Sequence, residues 1–310
     1  MGLFVRAICC TFAIMKRNAL KFILFVMLSM VPALAVCQNA TRLMEYPEVP
    51  DRLTKPNLRA DYMIEHLWDN VDLEKTAIAD RQAFVDAFTD YLSMFAVADV
   101  PEVEKAVAKF VNRIQKNSSN LQLLQDALEV LVYDPRSQYC SDDVYQIFGA
   151  ELAKCKAVDA QRRRVIEQRV SALKNSRKGA TVGGLTLRSG DRQVSIEDLT
   201  SDCIILIVNV EGNFDTNFLK IRLGADLATQ RLVENGAVSI VSVYDKSMSS
   251  RSGDEPNWYV AEVSNVDGLF DTRIVPAVYV LDKARKIVTK FPTDEQLLTI
   301  MARLANTMGV

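Results

Sequence analysis

Histidine is almost missing from this chain of 310 residues, with His66 as its one example. A single imidazole leaves little room for a histidine-built metal centre or a Ser-His-Asp relay. No sign of charge dominates either: 37 Lys and Arg stand against 39 Asp and Glu, for a net charge of −2 and a pI near 5.7. The chain therefore has no basic field to draw it onto nucleic acid. Cysteine is sparse and uneven, and three of the six (Cys9, Cys10 and Cys37) fall in the first 37 residues. What is present is an ordinary share of apolar residues, 49%, with 25% charged, enough to build cores and too balanced in charge to keep the chain extended. At this length one core stops growing, so two domains are expected after any targeting segment is set aside.

An apolar run from Phe22 to Val36 follows Lys16, Arg17 and Lys21 and precedes Gln38 and Asn39. A basic start, an apolar centre and small residues at its end are the parts of an export signal. The run is short for a bilayer span and carries Pro32. Cleavage is expected after Ala35, where Ala33 and Ala35 supply small residues, or after Cys37. A lipid on Cys37 is the other route, weakened by Val36 in the preceding position. Residues 1–14 read as an upstream extension, because Met15-Lys16-Arg17 is itself a natural start. Loss of residues 1–37 removes Arg6, Lys16, Arg17 and Lys21 and no acid, taking the net charge from −2 to −6. Residues 1–37 are thus read as signal peptide and 38–56 as leader, and the protein as exported, periplasmic or outer-membrane associated.

Three thiols remain: Cys140, Cys155 and Cys203. An oxidising compartment bridges paired cysteines. Cys140 and Cys155 flank a helical stretch, and at about 1.5 Å of rise per residue they would stand roughly 20 Å apart, too far for a disulfide. Val144, Phe148, Leu152 and Cys155 follow helical spacing, which places the Cys155 sulfur on an apolar stripe.

Residues 57–176 read as a helical domain. Phe84, Phe88, Tyr91 and Phe95 recur at helical steps behind Asp80, a candidate N-cap. Val103, Val107, Phe110 and Ile114 repeat the pattern after Pro101, a residue suited to a first helical turn. Leu121, Leu124, Leu128 and Leu131 form a third stripe, with Ser118 or Ser119 as cap and Asp134-Pro135 as stop. Two more helices are expected near 142–156 and 159–174. With the segment around Tyr62 to Trp68 that makes about six, joined by short connections, as in an antiparallel bundle or array.

From 179 to 310 the period changes. Leu185-Thr186-Leu187 and Val194-Ser195-Ile196 flank a Gly190 turn and read as a hairpin. Cys203 to Val210 is a continuous apolar run suited to a central strand. One long helix is expected next, with Phe218, Ile221, Ala225, Ala228 and Leu232 on its inner side. Strands at Val238–Tyr244, from Pro276, and at Ile287–Lys290 follow, with a Ser- and Gly-rich loop after the first. A last helix carries Leu297, Ile300, Met301 and Leu304. The fold class is α+β overall: an all-α domain, then an α/β sandwich.

That order, the hairpin ending Ile196-Glu197-Asp198-Leu199, the strand-loop-helix unit from Val208 to Leu219, and Arg273-Ile274-Val275-Pro276-Ala277 resemble the thioredoxin-like domain of periplasmic thiol-disulfide oxidoreductases of the TlpA and resident-thioredoxin type. The helical half resembles a domain of unknown function found before such domains in exported bacterial proteins, through Arg59 with Tyr62, His66-Leu67-Trp68-Asp69-Asn70 and Tyr133-Asp134-Pro135. The resemblance implies a Cys-x-x-Cys at the helix start, where the helix N-terminus lowers one thiol's pKa and the second thiol resolves the mixed disulfide. Here Gly212 and Asp215 stand at those two positions, and Asp215 is expected to cap the helix. Cys203, nine residues upstream on an extended strand, is roughly 30 Å from Gly212 and cannot substitute. No cysteine follows it, so a peroxiredoxin-type thiolate is missing too.

Catalytic residues are therefore not expected, nor a cofactor or metal. The candidate peptide-binding residues are Asn213, Phe214, Val275 and Pro276, the last in the position where the family places its cis-proline. The expected function is binding of an envelope protein or peptide by a redox-inactive domain, with no nucleic acid and with membrane contact only through a lipid on Cys37. The alternative is an oxidoreductase or isomerase working through a non-standard cysteine. His66 reads as a packed, hydrogen-bonded residue. Asp69, Asp72 and Glu74 lack the pattern of a calcium loop. The nine basic residues from Lys154 to Lys178 read as a solvated helix face. Intact-mass analysis of the envelope fraction is expected to find the chain starting at Val36 or Gln38, or at acylated Cys37; a chain retaining Met15 would contradict the export reading.

Overall fold

The computed structural model describes residues 43–210, 213–248 and 258–310. Residues 1–37, read above as a signal peptide, lie outside the described residues, as does Gly212.

The first half is helical: α1 Pro56–His66, α2 Arg81–Met94, α3 Val100–Ile114, α4 Ser118–Ala127, α5 Asp142–Lys154 and α6 Ala160–Asn175. Asp80 caps α2 by accepting from the Ala83 amide, and Pro101 sits in the first turn of α3. The α4 cap is Asn117, not Ser118 or Ser119, because its carboxamide oxygen reaches both the Ser119 and Asn120 amides. The third leucine stripe does not run through a continuous α-helix. After Ala127 the chain widens into a π-helical stretch, Leu128–Tyr133, that shifts the phase, buries Val132 and leaves Leu131 half-buried.

Aromatic packing holds this half together. Trp68, Phe84, Phe88, Tyr91, Phe110 and Phe148 are all buried. Their rings meet in tilted and edge-on pairs, Trp68 to Phe110 at 4.7 Å and Phe88 to Phe148 at 5.5 Å. The connection from α1 to α2 has no regular structure, so its backbone groups need side-chain partners. Buried Asn120 donates to the Leu73 and Thr76 carbonyls and accepts from the Ile78 amide. Arg113 donates to the Trp68 and Val71 carbonyls.

The second half holds a seven-stranded sheet of order β2-β1-β5-β4-β3-β6-β7. Its strands are β1 Thr186–Ser189, β2 Arg192–Ser195, β3 Cys203–Val208, β4 Val238–Asp245, β5 Tyr259–Val263, β6 Ala277–Asp282 and β7 Ile287–Lys290. Alternation along β3 sends Ile204, Leu206 and Val208 to one face and Cys203, Ile205 and Ile207 to the other. On the second face lie α7 Phe214–Ala225, α8 Leu227–Glu234 and α10 Asp294–Met308, which contribute Leu219, Leu223, Leu232, Leu297 and Met301. A short helix, α9 Val266–Leu269, packs against α6.

Two expectations fail here. β5 lies in the stretch read as loop and runs parallel to β4. The expected single helix after β3 is two helices, because Asp226 ends α7 and then caps α8 by accepting from the Thr229 amide. The inner face of α7 is Thr216, Leu219, Lys220 and Leu223, while Phe218 and Ile221 point outward. Both faces of α7 are apolar, so periodicity alone selects the wrong one. Leu223→Ala, on the inner face of α7, is expected to cost ~2–5 kcal/mol in denaturant unfolding, and Phe218→Ala under about 0.5 kcal/mol; equal costs would contradict this assignment of faces.

Candidate functional site

The end of the sheet where β3 finishes and β6 begins is built by register. Val208 pairs with Ala277, so the residues leaving β3 and the residue entering β6, Pro276, lie side by side. The Val275–Pro276 bond is cis. Asn209 is buried and stitches the exit of β3 to β4, its backbone amide and its side-chain amide both donating to the Val243 carbonyl. The chain then turns into α7. Asn213, not Asp215, caps that helix, accepting from the Thr216 amide at 3.1 Å. Asp215 sits exposed in the first turn, where a carboxylate suits the helix dipole.

Phe214 beside it is 83% exposed, and Phe218 and Ile221, at 60% and 68%, continue the same side of α7 at steps of four and three. The structure thus groups Asn213, Phe214 and Asp215 at the helix start, and Val275 and Pro276 on the adjoining loop, both half-buried.

Sequence reasoning missed what supports that loop. Asp271, whose side chain has no exposure, lies five residues before Pro276. Arg273 grips it bidentately, with Nε to Oδ1 at 2.9 Å and Nη2 to Oδ2 at 2.7 Å, and Lys290 of β7 adds a contact at 2.6 Å. The helical half closes the cluster. Asp142, in the first turn of α5, accepts from Arg273 and, at 3.1 Å, from Lys290. The Tyr133 carbonyl accepts from Arg273 Nη1 at 2.9 Å, and its ring lies 4.6 Å from the Arg273 guanidinium. Ser176, which caps α6, accepts from the Asp271 amide.

Burial works to raise the Asp271 carboxyl, but hydrogen bonds and charge from Arg273 and Lys290 outweigh it and hold it below the usual carboxylate range. Burial opposes the Arg273 charge as well, and Asp271 and Asp142 more than restore it.

Among the described residues three cysteines are free, and none falls at the start of α7. Cys155 and Cys203 are buried, and burial raises both, Cys203 to about 12. Cys140 is partly exposed in the loop before α5, its sulfur 3.9 Å from Arg273 Nη1. Burial raises this thiol too, against the pull of the guanidinium. Among the described residues no group of three or more His, Cys, Asp and Glu side chains is placed to hold a metal. His66 is hydrogen-bonded to Asp69 at 2.8 Å and packed against Tyr62. The basic stretch is more than a solvated face: Arg169 pairs with Glu129, and Arg163 donates to the Cys155 and Val158 carbonyls.

Residues 29–176 match the family model described as Domain of unknown function (DUF5106). No curated protein matches the chain. Among solved structures, a thioredoxin-like protein from Bacteroides caccae ATCC 43185 is similar at 18% identity, covering 84% of this chain and 98% of its own, with a TM-score of 0.57. A thioredoxin domain of a thiol-disulfide oxidoreductase from Bacteroides vulgatus aligns at 13% identity over 41% of this chain and 97% of its own, with a TM-score of 0.33. A conserved protein of unknown function from Bacteroides fragilis aligns at 19% over 41% and 99%, with a TM-score of 0.34. The first of these establishes the fold as thioredoxin-like, preceded by a helical domain.

Arg273→Met leaves Asp271 buried with one cation and is expected to cost ~3–5 kcal/mol in denaturant unfolding. Because the folded-state value of Asp271 lies below its unfolded value of about 3.9, its stabilisation is present at neutral pH and is lost as pH falls through the folded value. Wild type should therefore lose stability steeply below about pH 4, and an Asp271→Asn variant less so; parallel profiles would contradict the assignment.

Proposed function

We propose that this protein is exported to the cell envelope and that its thioredoxin-like domain binds a protein or peptide partner without exchanging electrons. The observation that carries this reading is the exposed apolar stripe Phe214, Phe218 and Ile221, which begins at the helix start beside the Pro276 loop. Exposed aromatic and aliphatic side chains in one row are costly to leave in water and are common where a partner docks. An extended segment laid against the loop from Ile274 to Pro276 would reach this stripe.

Chemistry supports the reading that no electrons are exchanged. A mixed disulfide needs a thiolate, and residues 211–216, Glu-Gly-Asn-Phe-Asp-Thr, supply none. By the resemblance, Gly212 and Asp215 take the positions of the two thiols. The remaining thiols are held protonated by burial. Export is supported by the basic start and the apolar run from Phe22 to Val36. No helix among the described residues is long and apolar enough to cross a membrane.

A second reading has one observation in its favour: Cys140 is partly exposed and touches Arg273, three residues before Pro276. Working through that thiol, the protein would be an oxidoreductase or isomerase.

One pair of measurements separates the two. The mature protein is expected to reduce insulin no faster than dithiothreitol alone. An unfolded, fully alkylated polypeptide is expected to shift the amide resonances of 213–216, 274, 275 and 277. Turnover that vanishes in Cys140→Ser would establish the second reading, and shifts confined to other regions would overturn the platform.

A further inference from the structure

A groove of about 820 Å³ opens in the helical half, where the end of α2, the starts of α3 and α5 and the loop before α5 meet. Its walls are apolar: Leu92, Phe95, Val100, Val103, Val144 and Ile147. Val100 is 63% exposed although it faces this apolar surface. Its volume and apolar lining fall in the range of ordinary ligand sites.

The charge on the groove has one sign. Glu104 and Asp143 line it, and no Lys or Arg does. Neighbouring acids are committed elsewhere: Glu102 to Lys105 at 2.6 Å, and Asp142 to Arg273 and Lys290. Glu104 and Asp143 have no ion-pair or hydrogen-bond partner among the described residues. The dipole of α5 accounts for Asp143 in its first turn. It does not account for Glu104, which lies beyond the first turn of α3. Two unpaired carboxylates beside an apolar floor complement a cation carried on an apolar body.

The groove also lines up neutral polar groups. The Gln138 side-chain amide and the Tyr139 hydroxyl have no hydrogen-bond partner among the described residues. An alkyl chain has no use for them, whereas a peptide backbone must find such partners when it leaves water.

We propose that this groove is a second binding site, specific for a peptide segment with apolar residues flanked by lysine or arginine. It stands independently of the platform at α7, since none of the residues involved is shared. Its position does connect the two. Asp142, between groove-lining Ser141 and Asp143, bonds to the arginine that supports the Pro276 loop.

Calorimetric titration of the mature full chain tests this with two capped pentapeptides, Leu-Phe-Leu flanked by lysines and Leu-Phe-Leu flanked by glutamates. The lysine peptide is expected to bind at least roughly tenfold more tightly, and less so in high salt, as for charge pairs at a rim. In the double variant Glu104→Lys/Asp143→Lys, both at exposed positions and so compatible with folding, the preference should reverse. Undetectable binding of the lysine peptide, equal affinity for the two peptides, or a preference that survives the reversal would each overturn the proposal.

Discussion

A carboxylate with no access to water is expensive unless cations come to it, and Asp271 is such a carboxylate. Much of the arrangement around the Pro276 loop follows from meeting that need. Arg273 folds back to grip it from two residues away, and Lys290 reaches it from the last strand. Two cations against one anion leave positive charge over. Asp142 of the helical half completes the balance, and the Tyr133 carbonyl and ring take up the rest of the guanidinium. The helical half is therefore part of the support for the loop, and loss of any one charge leaves others buried without compensation.

The chemistry available at the sheet end is set by what surrounds sulfur. A helix start is the place in this fold where a thiol can be acidified, and the chain puts Asn213, Phe214 and Asp215 there. At Cys140, Cys155 and Cys203 burial opposes ionisation, and at Cys140 it does so against the pull of the Arg273 guanidinium. The same stretch that lacks sulfur displays an apolar row to solvent, and under the proposed reading recognition remains after exchange chemistry is gone.

Much of this architecture is legible in the sequence. The helical stripes at Phe84–Phe95 and Val103–Ile114, the continuous strand at Cys203–Val208 and the closing helix are strong periodic signals, and each appears as an element. The failures have local causes. In β5 Ala261 alone is fully buried, so its alternation is faint. On α7, apolar residues occupy two faces, and the packed one is fixed by the sheet beneath it. The π-helical stretch after Ala127 shifts a leucine stripe that looks regular on paper. At the site, the place of Pro276 at the entry to β6 can be read from the residues, because it sits just before a strong apolar strand. The Asp271–Arg273–Lys290–Asp142 cluster cannot, because Asp142 and Arg273 are 131 residues apart and nothing local in either segment announces the other.

The central claim of the proposed reading is that no sulfur among the described residues is poised to attack a disulfide. The most direct test is the rate of alkylation of each thiol in the mature protein as a function of pH, resolved by peptide mass spectrometry. The account predicts that Cys140, Cys155 and Cys203 show no ionisation below the ordinary thiol range, with Cys203 the most resistant. A thiol among them that reacts with an inflection below pH 7 would contradict it.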